Sequence, residues 1–218
     1  MTVPPTKKKR KKQKKRKTKR NIKAKKVNKI FLKCKWPTLP EEEKEMFKKN
    51  NCHHTYGYIT PEGISHLLKG IRKKGKSFYD LGSGIGRPAI SVATLFPQIN
   101  EIVGIELSKS RYDISQGILE TLPHIYKSKI KFINKNFLDS FIDLSKADII
   151  WTNSMSFPKE CLEQLGVKIN KEAKIGTYIY SSKKLNIPRA QDLGIKKVKQ
   201  SWNDDSKVHC YKISINDI

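Results

Sequence analysis

From Lys76 onward, short apolar runs alternate with segments of helical periodicity, and this pattern most narrows what the chain can fold into. SFYDL, EIVGIEL, IKFIN, ADIIW and KIGTYIY read as strands. Between them, Ile90, Val92, Ala93 and Leu95 recur at helical spacing, as do Tyr112, Ile114, Ile118 and Leu119 over a helix from about Lys109 to Leu122. A further helix is expected near 158–166. Buried strands joined by amphipathic helices predict an α/β fold: a parallel sheet with helices on both faces. The end of the chain differs. IKKVKQSW, a polar NDDSK break and VHCYKISI read as an antiparallel hairpin added to one sheet edge. Residues 36–75 form a helical entry, with EEEKEMFKKN as one helix. A second starts at Thr60-Pro61-Glu62 and carries Ile64, Leu67, Leu68 and Ile71. No internal repeat is visible.

Three segments follow: a polybasic tail over 1–35, the helical entry over 36–75, and the sheet domain over 76–218. The formal charge is +26 over 218 residues, and it is unevenly placed. Residues 1–40 hold 18 Lys or Arg and no acid, leaving 28 basic against 20 acidic residues beyond them. The tail has almost no apolar content before Ile30 and is expected to be disordered on its own. Lys7, Lys8, Lys9, Arg10, Lys11, Lys12, Lys14, Lys15, Arg16, Lys17, Lys19 and Arg20 are the candidate nucleic-acid contacts. An import signal or an anionic membrane surface are the other readings. The absence of a lipidation signal or an amphipathic helix argues against the membrane, and no segment is long enough to span a bilayer. The four cysteines are scattered, which points to reduced thiols. Cys52-His53-His54 has no matching second half, so no metal site is expected.

The first strand ends in Asp80-Leu81-Gly82-Ser83-Gly84-Ile85-Gly86. Glycines let the backbone turn sharply and approach a ligand closely. A second acid, Glu106, ends the next strand, where the hydroxyl pair of a ribose would lie. A pyrophosphate would not favour a carboxylate beside the turn. Asp80 suits a cationic ligand, so S-adenosylmethionine is preferred to a dinucleotide. In doubly wound sheets the ligand lies outside the carboxyl ends of the strands. The fourth strand would therefore deliver Asn153 and Phe157 to the rim beside a reactive methyl. Asn153 offers a donor and an acceptor to an incoming amine; alternatively, Asn153 or a neighbouring Ser caps the helix at Pro158. His66, His124 and His209 are read as surface or packing residues.

Several stretches together resemble the Dot1-like (disruptor of telomeric silencing) histone-lysine N-methyltransferases: TYGYITPEGI at 55–64, FYDLGSGIGR at 78–87, GIE at 104–106, KNFLD at 135–139, WTNSMSF at 151–157, YSSKK at 180–184, and QSW followed by VHCYKISI. The match runs in order over about 54–216. The resemblance implies a class I S-adenosylmethionine-dependent methyltransferase fold, Rossmann-like in its sheet. It also implies methylation of a lysine in the globular core of histone H3 within nucleosomes, in the nucleus. A viral protein would act in the host nucleus or at a cytoplasmic replication site. Implied cofactor contacts are Tyr56, Gly57, Tyr58, Ile59, Thr60, Phe78, Tyr79, Asp80, Leu81, Gly82, Ser83, Gly84, Ile85, Gly86, Arg87, Glu106, Asn136, Phe137 and Asn153. Asn153, with Tyr56, Trp202, Phe157 and Ser182, would form the catalytic face and lysine channel. Three positions depart from the family pattern: Tyr58 stands where an acid is usual, Asn136 where Asp is usual, and Cys210 where a channel tyrosine is usual. The chain is expected to act as a monomer, with its tail on nucleosomal DNA. The alternatives are a methyltransferase of RNA or of a non-histone protein, and a non-catalytic chromatin-binding protein.

Overall fold

The computed structural model describes residues 22–32, 34, 38–49, 54, 57–71 and 76–214. Its centre is a seven-stranded sheet: β1 (Lys76–Leu81), β2 (Ile99–Glu106), β3 (Ile130–Asn134), β4 (Ile149–Thr152), β5 (Tyr178–Ser181), β6 (Ala190–Val198) and β7 (Ser206–Ile213). The spatial order is β3-β2-β1-β4-β5-β7-β6. The first five strands are parallel, while β7 runs antiparallel to both β5 and β6. The chain thus winds outward in one direction through β2 and β3 and in the other through β4 and β5. Its switch point is at β1 and β4, where Asp80 lies beside Trp151.

Side chains alternate between two cores. Phe78, Ile102, Ile149, Trp151 and Tyr180 face one core, and Tyr79, Leu81, Val103, Ile150 and Ile179 face the other. The first core is covered by α1 (residues 22–32), α3 (Pro61–Leu67), α4 (Arg87–Leu95) and α5 (Lys109–Glu120). The second is covered by α7 (Lys159–Glu172) and by the irregular segment that carries Phe137, Ile142 and Leu144. Two further helices are α2 (Glu41–Lys49) and the short α6 (His124–Lys127). The expected sheet, the helices on both faces and the terminal hairpin are all present.

Four boundaries differ from the sequence reading. Residues 22–32, expected to be disordered, form α1: Ala24, Val27 and Phe31 repeat at i, i+3 and i+7 and are buried. Lysines surround these residues in sequence, but α4 supplies the surface they need, and Lys23 Nζ donates to the Thr94 carbonyl at 3.1 Å. Of the rest of the tail, residues 1–21, 33 and 35 lie outside the described residues, as do Tyr56, Cys52 and His53. Helix α3 stops at Leu67, and Gly70 turns the chain at a φ of 107° before Ile71. Helix α7 runs to Glu172, past the expected end near 166. Strand β6 begins at Ala190, ahead of the IKKVKQSW run, and its pairing with β7 shifts register between Asp192 and Ile195 beside Gly194. Cys34 and Cys210 are free thiols.

Candidate active site

The glycine turn after β1 is built by backbone bonds. Gly82 N and Ser83 N both donate to the Ile105 carbonyl at 2.9 Å, which ties the turn to the end of β2. Gly82, Gly84 and Gly86 all have positive φ. At Gly86 a Cβ would also stand 2.4 Å from Phe132 Cζ, so only glycine fits. Glu106 accepts from Gly84 N at 2.7 Å through Oε2 and from Ser108 N at 2.9 Å through Oε1. Both carboxylate oxygens are thus fixed, and each keeps a lone pair for a hydroxyl donor.

Asp80 is fully buried, and among the described residues neither carboxylate oxygen has a well-formed hydrogen bond; the Ala89 amide makes only a weak approach. Burial raises its pKa well above the usual carboxylate range; the neighbouring Glu106 charge adds to this, and the Ala89 amide opposes both weakly. Burial also raises Glu106, against the pull of Arg111 and the two backbone N–H groups. Ser83 Oγ is likewise buried without a partner. Orphaned acceptors at a glycine-lined switch point fit a cationic ligand carrying hydroxyls. Phe137 and Phe157 form one wall, with ring centroids 5.3 Å apart. Phe157 stands over the turn, since a Cβ on Gly82 would lie 3.1 Å from its Cζ. Asn136 uses its Oδ1 to accept Leu138 N at 2.9 Å.

A second set of groups converges on Asn153. Its Nδ2 donates to the Gly57 carbonyl at 2.7 Å, and its Oδ1 accepts from Ser182 Oγ at 3.1 Å. Ser182 in turn accepts from Gln200 Nε2 at 3.5 Å. The chain of donors therefore runs Gln200, Ser182, Asn153, Gly57. One of the two Nδ2 hydrogens of Asn153 is used on the loop and one lone pair of Oδ1 on Ser182, which leaves one N–H and the second lone pair of Oδ1 for a ligand or an incoming amine. The capping alternative is not what the structure contains: the Asn153 side chain makes no cap bond, nor does Pro158 at the start of α7.

The loop over the site pairs with the β6–β7 connection. Ile59 bridges Gln200, Tyr58 N donates to Ser201 Oγ, Ser201 N donates to the Tyr58 carbonyl, and Thr60 N donates to the Lys199 carbonyl. Gly57 lets this loop lie against the Trp202 ring, because a Cβ there would stand 2.3 Å from its Cζ3. Trp202 remains 47% exposed at the mouth, with Met155 also exposed. Asp80, Gly82, Ser83, Gly84, Glu106, Asn153, Ser182, Phe157 and Trp202 are thus gathered at the carboxyl ends of the strands. Phe78, Tyr79, Leu81, Ile85 and Ile59 instead bury their side chains in the two cores and support the site from beneath. Thr60 caps α3 by accepting Gly63 N. Gln200 was not among the expected site residues, although QSW is part of the resemblance; only the folded chain brings its side chain to Ser182.

Switch-point geometry, glycine turn and paired acids make up the class I S-adenosylmethionine-dependent methyltransferase fold, with S-adenosylmethionine as cofactor. Solved structures similar to the chain share this fold. They include a putative methylase from Haemophilus influenzae (TM-score 0.55, 18% identity, covering 71% of this chain and 88% of that one). TrmN from Thermus thermophilus (TM-score 0.57, 16% identity) covers 71% of this chain and 49% of its own. The glycopeptide N-methyltransferase MtfA (TM-score 0.56, 9% identity) covers 71% and 95%. The chain belongs to the family described as histone methylation protein DOT1, which matches residues 39–217. A curated relative is the H3 lysine-79 specific histone-lysine N-methyltransferase of Dictyostelium discoideum, 28% identical over 141 residues. That match takes in 60% of this chain and only 8% of the relative's length.

Proposed function

We propose that the chain methylates a lysine in the globular core of histone H3 within nucleosomes, in the nucleus, with its basic tail on nucleosomal DNA. The observation that carries this reading is the Gln200–Ser182–Asn153–Gly57 relay beside the exposed Trp202. Bound S-adenosylmethionine supplies an electrophilic methyl group on a sulfonium. In-line transfer of that methyl would form the C–N bond from the amine lone pair as the C–S bond breaks, with S-adenosylhomocysteine as the leaving group. The protein must align a neutral amine and exclude water. Asn153 Oδ1 accepts an amine N–H and turns the lone pair toward the methyl. Trp202 and Phe157 provide an apolar approach, and desolvation there lowers the lysine pKa so that the amine arrives uncharged. No acid–base pair is required. Lysine specificity is proposed on the family membership and on the named activity of the Dictyostelium relative.

The test offers tritiated S-adenosylmethionine with intact nucleosomes, free core histones, naked DNA and total RNA, beside an Asn153→Ala control. Label on H3, favoured in nucleosomes and lost in the variant, is the expected result. Label on RNA or another protein would overturn the substrate. For Trp202→Ala we expect turnover to fall on the order of 100-fold with cofactor affinity intact, as for loss of a positioning contact. Equal losses in both would remove Trp202 from the channel.

A further inference from the structure

Arg87 is the first residue of α4, directly after the glycine turn. A cation at a helix N-terminus opposes the helix dipole, so α4 itself gives no reason for an arginine there. Its surroundings do. The guanidinium carbon lies 4.3 Å from the centroid of Phe31 and 4.2 Å from that of Tyr58. One ring belongs to α1 and the other to the loop that covers the cofactor site. Phe31 is 3% exposed and rooted in the first core with Ala24 and Val27, so this side of the sandwich is fixed. Tyr58 is backbone-paired with Ser201, and its neighbour Gly57 receives the Asn153 amide. The loop is therefore gripped twice, from within by the Asn153 relay and from without by Arg87. A planar guanidinium can stack between two rings, whereas an ammonium cannot.

We propose that α1 is a latch on the cofactor-covering loop, with Arg87 as the positioning residue that joins Phe31 to Tyr58. The N-terminal helix then contributes to S-adenosylmethionine affinity without touching the cofactor. Arg87 acts through the loop instead of through a cofactor contact of its own. The inference rests on the cofactor reading above.

The test is calorimetric titration of S-adenosylmethionine into the full chain and into Phe31→Leu, Arg87→Lys and the double variant, with Asp80→Asn alongside. Hydrogen exchange of the peptide spanning 57–60 is followed in each. Phe31→Leu keeps an apolar side chain in the core but removes the ring. We expect each single variant to weaken binding by on the order of tenfold, a coupling of ordinary size. The double variant should be no weaker than either single, and the 57–60 amides should exchange faster in all three. Phe31→Tyr, which keeps the ring, should restore binding. Phe31→Leu binding as tightly as the parent, while Arg87→Lys does not, would make Arg87 a direct cofactor contact and overturn the latch. Additive losses would overturn it too, because the two residues would then act separately. A parent chain that binds no cofactor would sink the cofactor reading itself, whereas one that binds, with Asp80→Asn weakened, leaves the latch alone on trial.

Discussion

The Asp80 carboxyl sits fully buried near Glu106, and its folded pKa stands well above the usual range. An ordinary unfolded Asp loses its proton near pH ~4. Above that pH the folded chain holds a proton that the unfolded chain has released, so the Asp80 contribution to stability falls as pH rises toward the raised value. A cationic ligand favours the carboxylate and reverses the shift. We expect S-adenosylmethionine to bind more tightly as pH rises through this window, with proton release measurable by calorimetry in buffers of different ionisation enthalpy. Asp80→Asn should raise the melting temperature of the ligand-free chain and flatten that pH dependence while weakening binding; a variant with unchanged pH dependence would remove Asp80 from the linkage. Gln200 offers a second residue-scale test. It is 2% exposed, and its Oε1 is buried with no partner among the described residues, which costs stability. Replacing it with leucine removes that cost together with the Ser182 bond. Gln200→Leu should therefore melt no lower than the parent while kcat falls at least about tenfold, as when a positioning contact is lost. A parallel fall in melting temperature would reduce Gln200 to a packing residue.

At the scale of elements, α1 carries more than its sequence advertises. Burying side chains the size of Val and Phe contributes about 1.5–3 kcal/mol each. For a chain of this size, each kcal/mol moves the melting temperature by about 2–4 °C. Deleting residues 1–32 should therefore lower the melting temperature by roughly 6–24 °C, measured by calorimetry, whereas deleting 1–20 should leave it unchanged. Equal melting temperatures for the two deletions would show that α1 is dispensable to the core. Element α2 is tied in differently: Glu43 Oε1 accepts Ser110 N and Ser110 Oγ, both at 2.8 Å, and Glu43 also accepts from Ser108 Oγ. This carboxylate sits at the N-terminus of α5, where the helix dipole favours it, beside the Glu106–Ser108 turn.

At the scale of the whole molecule, charge and fold are separate. The 12 Lys and Arg of residues 7–20 precede every described element, and beyond residue 40 the chain is only mildly basic, with 28 basic against 20 acidic residues. Each phosphate neutralised adds about 0.9 to the slope of log affinity against log salt on duplex DNA. We expect nucleosome binding to weaken steeply with salt, and removal of residues 1–20 to lower both affinity and slope by several counterions. An unchanged slope would place the DNA contact elsewhere. The fold was legible in the sequence because period-2 and period-3.6 patterns are local: β1, β2 and α5 lie close to their expected places. The helix over 22–32 was not, because its three buried apolar side chains are scattered among lysines, and its partner surface on α4 is some seventy residues away.

The sequence by itself determined the order of elements, the glycine turn, the spacing of Asp80 and Glu106, and the strand that leads to Asn153. These are properties of consecutive residues and their periodicity. Only the tertiary structure decided how Asn153 spends its amide, that Gln200 stands behind Ser182, and that Arg87 lies between two rings. Each of these joins residues far apart in the chain: Asn153 with Gly57, Ser182 with Asn153, Phe31 and Tyr58 with Arg87. Such contacts exist only once the sheet has brought the strand ends together, because no local pattern encodes a pairing made across the fold.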